Sequence, residues 1–148
     1  MVASTTDIDT VPLHTVLIIS DQPKTAAIWE PLFNQRNCIV LCESNISNAL
    51  QGARLVGPSL MVVDMQMTKT ERALLLQNLR EASRGTILLL VSANTAQEVF
   101  EANLAGADEC LIKPVNPAVL VVKAMAWLGH GEKNERIPAA MLNLQVSV

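Results

Sequence analysis

Five residues of this chain have the types and settings to do chemistry together: Ser20, Asp21, Asp64, Ser92 and Lys113. Each follows directly on a short apolar run. Val16-Leu17-Ile18-Ile19 leads into Ser20-Asp21, and Leu60-Met61-Val62-Val63 into Asp64. Thr86-Ile87-Leu88-Leu89-Leu90-Val91 leads into Ser92, and Cys110-Leu111-Ile112 into Lys113. Two carboxylates held close repel each other, and a hard cation such as Mg²⁺ relieves the repulsion while keeping waters of its own. A carboxylate beside bound Mg²⁺ and an ammonium group is a good nucleophile for a phosphoryl group. That transfer needs positioning and neutralised equatorial oxygens, which the metal, Lys113 and the Ser92 hydroxyl can supply. Taken singly, these residues have blander readings. A lone Asp after a strand is most often a turn former or cap, a lone Ser a helix cap, a Lys-Pro a solvated loop. All of them falling at the ends of separate strands is a far more specific signal.

The elements that must position these groups follow from the apolar runs. A continuous β-branched and apolar run of this length fits a strand buried on both faces, as in a parallel sheet. The predicted strands are Val16 to Ile19, Cys38 to Cys42, Leu60 to Val63, Thr86 to Val91 and Cys110 to Ile112. Between them lie helical patterns. The first has Pro23 in its opening turn, Ala27, Ile28, Leu32 and Phe33 on its buried side, and Pro31 as an expected kink or early end. The second is capped by Ser44 or Asn45 and stopped by Gly57-Pro58. The third is capped by Thr70 and closes near Arg80. The fourth runs from about Thr95 to Leu104 before Gly106, and the last from about Pro117 to Leu128 with Gly129 as its stop. Strand and helix alternate five times, which predicts an α/β fold with a doubly wound, five-stranded parallel sheet covered by helices on both faces, three layers in all. In such a sheet the carboxyl ends of the strands share one edge, where ligands bind.

Composition sets the remaining bounds. The chain has 148 residues, half of them hydrophobic and 17% charged, with a net charge of −3. That suits one domain with a real core. Without a basic run, no direct nucleic-acid partner is expected. No apolar stretch approaches the ~20 residues of a membrane span, and no signal peptide is visible, so a cytoplasmic protein without a membrane partner is expected. Cys38, Cys42 and Cys110 lack metal-ligand spacing and are expected to be buried free thiols. The expected division is a flexible lead-in over 1–13, a folded body over 14–129, and a linker or C-terminal tail over 130–148.

The motifs around these residues resemble the receiver domain of two-component response regulators. The resemblance runs from about Thr15 to Leu128 and rests on four blocks. These are Val16-Leu17-Ile18-Ile19-Ser20-Asp21-Gln22-Pro23, Leu60-Met61-Val62-Val63-Asp64-Met65-Gln66-Met67, Leu89-Leu90-Val91-Ser92-Ala93, and Gly106-Ala107-Asp108-Glu109-Cys110-Leu111-Ile112-Lys113-Pro114. It implies a flavodoxin-like (βα)5 topology and a signalling protein, not an enzyme acting on outside substrates. It implies that Asp64 takes phosphate from the phosphohistidine of a sensor kinase or phosphotransfer protein. Asp21, Asp64 and the Gln66 backbone carbonyl would ligate Mg²⁺. Lys113 would pair with the phosphoryl group, Ser92 would hydrogen-bond it, and the Lys113-Pro114 bond would be cis. The surface of the fourth helix, fifth strand and last helix would be the one switched, with a homodimer as one use of it.

Three departures accompany the resemblance. Ser20 stands where the family usually has a second adjacent acid, which should weaken metal binding. Cys110 replaces the usual fifth-strand aromatic, so the usual coupling of ring to hydroxyl is not expected. Thr68 replaces a usual proline. Gln66 and Asn94 lie where the family tunes water access, and neither is a strong general base, so slow self-dephosphorylation is expected. A second class of function stays open: a degenerate receiver acting as a phosphate-independent binding module. A small hydrolase or nucleotide binder is disfavoured, because no glycine-rich phosphate loop and no Gly-x-Ser-x-Gly turn is present.

Overall fold

A computed structural model describes residues 13–92 and 95–136, with side chains to residue 129. The first twelve residues, Ala93, Asn94, and the tail from 137 lie outside the described residues. Ten elements alternate without exception. They are β1 (His14–Ser20), α1 (Pro23–Asn34), β2 (Cys38–Glu43), α2 (Ile46–Val56), β3 (Leu60–Asp64), α3 (Lys69–Ala82), β4 (Thr86–Val91), α4 (Ala96–Ala105), β5 (Glu109–Ile112) and α5 (Pro117–Arg136). The strands form one parallel sheet in the order β2-β1-β3-β4-β5. β3 is central, which is why all five of its residues are buried and why its sequence is apolar without alternation.

Each strand sends alternate side chains into two separate cores. Leu17, Ile19, Met61, Val63, Ile87 and Leu89 face α2, α3 and α4, where Ala49, Leu75, Leu76, Leu79 and Ala102 meet them. Val16, Ile18, Leu60, Val62, Leu88 and Leu111 face α1 and α5, against Trp29, Phe33, Leu120 and Ala124. The sheet is therefore the middle of three layers.

Several helix ends differ from expectation for local reasons. α1 continues across Pro31 to Asn34. Its buried face is Trp29 and Phe33, while Ala27 and Ile28 are exposed, because the helix presents the 29/33 row to the sheet. Asn45 caps α2 by accepting from Asn48 N at 2.8 Å. α3 starts at Lys69, and its cap is Thr68 rather than Thr70. Thr68 Oγ1 accepts from Glu71 N, and Glu71 Oε1 accepts from Thr68 N, a reciprocal capping box that Thr70 could not build. Thr95 caps α4. Gly57 closes α2 with a left-handed φ of 55°. Gly129 is not a stop: its φ is not positive and α5 runs through it to Arg136.

Two clusters brace the sheet away from the strand carboxyl ends. Arg80 Nη1 donates to Gly85 O at 2.7 Å, and Nη2 donates to Gly106 O at 3.0 Å and Asp108 Oδ2 at 2.7 Å. The same Asp108 oxygen accepts from Ile87 N at 2.8 Å. One guanidinium thereby joins α3, the start of β4 and the segment before β5. Glu109 at the start of β5 accepts from Lys123 and from the Trp127 indole of α5, both at 2.7 Å. Gly85 must be glycine, since a Cβ there would lie 2.2 Å from Pro58 O.

Candidate functional site

Strand register delivers the site. β1 and β3 pair Ser20 with Asp64, so Asp21 emerges beside Asp64, and Asp21 N approaches Asp64 O at 3.4 Å. β4 and β5 pair Val91 with Ile112, and Lys113 N donates to Val91 O at 2.8 Å, which sets Lys113 beside Ser92. All four groups therefore come to the carboxyl edge of the sheet.

Asp64 is buried, with 3% of its surface exposed. Lys113 Nζ donates to its Oδ1 at 2.7 Å. A carboxylate this deep needs such a partner, because an uncompensated buried charge is costly. Asp21 Oδ2 accepts from Gln66 N at 3.0 Å, which ties the loop after β3 to the loop after β1. Among the described residues neither Asp21 Oδ1 nor Asp64 Oδ2 has a hydrogen-bond partner. Ser20 is buried but turned to its own loop: Gln22 N donates to its Oγ at 3.0 Å, and the hydroxyl donates to Gln22 O at 3.3 Å. Ser92 is exposed at the mouth. The Lys113-Pro114 peptide is cis.

A cleft of about 730 Å³ opens over Asp64 between α3 and α4. Asp64, Gln66, Ser92 and Lys113 line it, and Arg72 and Glu98 form its outer walls. Arg72 was not legible as a site residue from the strand-end pattern, since it lies a turn inside a helix. Cys110 does not line the cleft. Its Sγ faces α4 instead, 3.6 Å from Asn103 Oδ1 and 3.9 Å from Val99 O. Burial pushes the Cys110 thiol above its ordinary range, with Arg72 pulling part of the way back. The three cysteines are free, yet only Cys38 is buried; Cys42 and Cys110 are half-buried, contrary to expectation, because their thiols face the polar ends of Glu30 and Asn103. Burial, helped by Glu30, pushes the Cys42 thiol up to about 11, so it is protonated at neutral pH.

The donor set fits a hard cation with mostly water ligands. Two carboxylates on adjacent strand ends each offer an oxygen with no hydrogen-bond partner, and the Gln66 backbone lies alongside. Among the described residues no group of three or more His, Cys, Asp or Glu side chains could hold a metal, so such a cation would rest on two acids.

The chain is thus a doubly wound α/β domain whose acids and lysine meet at the carboxyl edge of its sheet. The family model of the response regulator receiver domain matches residues 16–125. The chain belongs to that family. It is similar to the nisin biosynthesis regulatory protein NisR of Lactococcus lactis subsp. lactis, with 23% identity over 83% of this chain and 54% of the relative. It is also similar to the DNA-binding response regulator MtrA of Mycolicibacterium smegmatis, with 26% identity over 87% of this chain and 55% of the relative. The crystal structure of a response regulator receiver domain protein from Methanospirillum hungatei JF-1 superposes with a TM-score of 0.74 at 20% identity, over 83% of this chain and 99% of that one. This chain thus spans about half the length of the relatives it matches. One of those relatives binds DNA by its printed name, so the expected lack of a nucleic-acid partner does not extend to a whole protein of that length. Among the described residues no helix is long and apolar enough to cross a membrane.

Proposed function

We propose that Asp64 is the phosphoacceptor of this receiver domain. The observation that supports it most is the 2.7 Å contact between Lys113 Nζ and the Oδ1 of a buried Asp64. An Asp64 oxygen attacks the phosphorus of a phosphohistidine carried by a sensor kinase or phosphotransfer protein. The P–N bond breaks, and its electron pair stays on the leaving imidazole. Asp21, Asp64 and the Gln66 carbonyl would hold Mg²⁺, which when bound neutralises charge on the transferring group. Lys113 is already at the nucleophile and moves to pair with the phosphoryl oxygens. Ser92, exposed beside it, supplies a hydroxyl donor. No carboxylate is placed as a general base at Gln66, so the acyl phosphate is expected to outlast seconds.

The added charge is read out on the α4-β5-α5 face. Phe100, Leu104, Ile112, Val119 and Val122 are exposed there, an apolar set suited to a protein partner or a second copy of this chain. A cytoplasmic location, where such kinases act, fits this role.

The competing reading is a phosphate-independent binding module. It draws on Ser20 being used up by its own loop and on Cys110 facing α4. Incubation with acetyl phosphate or beryllofluoride and Mg²⁺ separates the two, followed by intact mass and by Trp29 and Trp127 fluorescence. The phosphoacceptor reading expects a response in the parent and none in Asp64→Ala. A silent parent leaves the binding module.

A further inference from the structure

Two cations line the cleft over Asp64, and they are in different states. Lys113 is paired with Asp64. Arg72 is half-buried and, among the described residues, has neither a hydrogen bond nor an ion pair. The acids nearest in sequence and across the cleft are otherwise occupied: Glu71 Oε1 accepts from Thr68 N at 2.9 Å, and Glu98 Oε1 from the Thr95 hydroxyl at 3.3 Å. Arg72 sits one turn into α3, its backbone N donating to Thr68 O at 2.9 Å. Helical side chains lean toward the helix N-terminus, so this guanidinium is carried toward the loop that follows Asp64. Cys110 is turned to α4 and does not enter this space.

A half-buried guanidinium without an anion is poorly satisfied, and a phosphoryl group is the anion it fits best, through paired N–H donors. Phosphorylation of Asp64 would bring a group with three acceptor oxygens and roughly two negative charges into the cleft, of which Lys113 and Mg²⁺ would each engage only part.

We infer that Arg72 is the second cation of the phosphorylated site, donating to phosphoryl oxygens that Lys113 leaves uncovered. This rests on the phosphoacceptor reading above. It makes Arg72 a binding residue for the phosphoryl group, not for Mg²⁺.

The test titrates beryllofluoride, in saturating Mg²⁺, into the parent, Arg72→Gln and Arg72→Lys, with tryptophan fluorescence as readout. Loss of one charge-assisted contact should weaken beryllofluoride binding by about tenfold or more in Arg72→Gln. Arg72→Lys should fall between, since it keeps the charge and loses the fork. Mg²⁺ affinity without beryllofluoride and the urea midpoint should stay at parental values in both variants. Arg72→Gln binding beryllofluoride as the parent does overturns the role of Arg72 alone. So does an equal loss of Mg²⁺ affinity, which would mark a general effect on the site. A parent that never responds overturns the phosphoacceptor reading and Arg72 with it, and is recognised without any variant.

Discussion

Lys113 and Asp64 should contribute unequally to stability although they share one contact. The Asp64 side chain is 4% exposed and that of Lys113 36%. Lys113→Met leaves a buried carboxylate with no cation, beside the second acid Asp21. Breaking a fully buried pair from one side costs roughly 3–5 kcal/mol. Solvent reaches Lys113 and screens the pair, so about 2 kcal/mol is expected here. Asp64→Asn keeps the shape, frees a lysine that can hydrate, and removes the repulsion with Asp21, so it should cost about 1 kcal/mol or less. The double variant should then be more stable than Lys113→Met alone, with a coupling of about 2 kcal/mol, because the unpaired carboxylate is gone. Urea unfolding at neutral pH without Mg²⁺, followed through Trp29 and Trp127, measures all four proteins. Equal costs for the two single variants, or strict additivity in the double, would refute the assignment of Asp64 as a buried charge held by Lys113.

Three further outcomes are expected. Ser20→Asp keeps an acceptor for Gln22 N and adds a carboxylate beside Asp21 and Asp64, so Mg²⁺ should bind about tenfold more tightly, read by tryptophan fluorescence titration. Gly85→Ala drives a methyl group into Pro58 O, a backbone atom that cannot yield cheaply, and should cost about 3 kcal/mol or more in urea unfolding. Burial alone would raise the Glu109 carboxyl, but hydrogen bonds from Lys123 and Trp127 outweigh it and hold the group below the usual carboxylate range. Its stabilisation is therefore complete at neutral pH and is lost as the pH falls through and below that range, and Glu109→Gln should show a smaller loss over the same acid window in acid unfolding.

The fold was legible because parallel strands leave an unmistakable trace: Leu60 to Val63 can be apolar without alternation only if both faces are covered. The strand-end groups were legible for the same reason, since a known sheet edge turns sequence position into spatial position. Helix ends were read less well. Thr70 and Thr68 carry the same hydroxyl, and only the glutamate three residues after Thr68 picks the true cap. Gly129 was misread because glycine ends a helix only where the backbone turns left-handed, and α5 gives it no reason to. Arg72 was missed because it lies a turn inside α3, where no strand end marks it as part of the cleft. The roles of Asp21, Ser92 and Gln66 follow from chemistry that ligands would complete, which a strand pattern cannot carry.

The Arg80 knot has a mechanical consequence. It grips the Gly106 carbonyl at the tail of α4 and, through Asp108, the entry to β5. The opposite tip of that helix begins at Thr95, next to the loop bearing Ser92. The helix is thus a lever with its fulcrum at the far end from the proposed phosphoryl site. A push on the Thr95 end would become a tilt, sweeping Phe100 and carrying Leu104, nearer the pivot, through a smaller arc. Cutting Arg80 would loosen the fulcrum and let the same push dissipate as sliding.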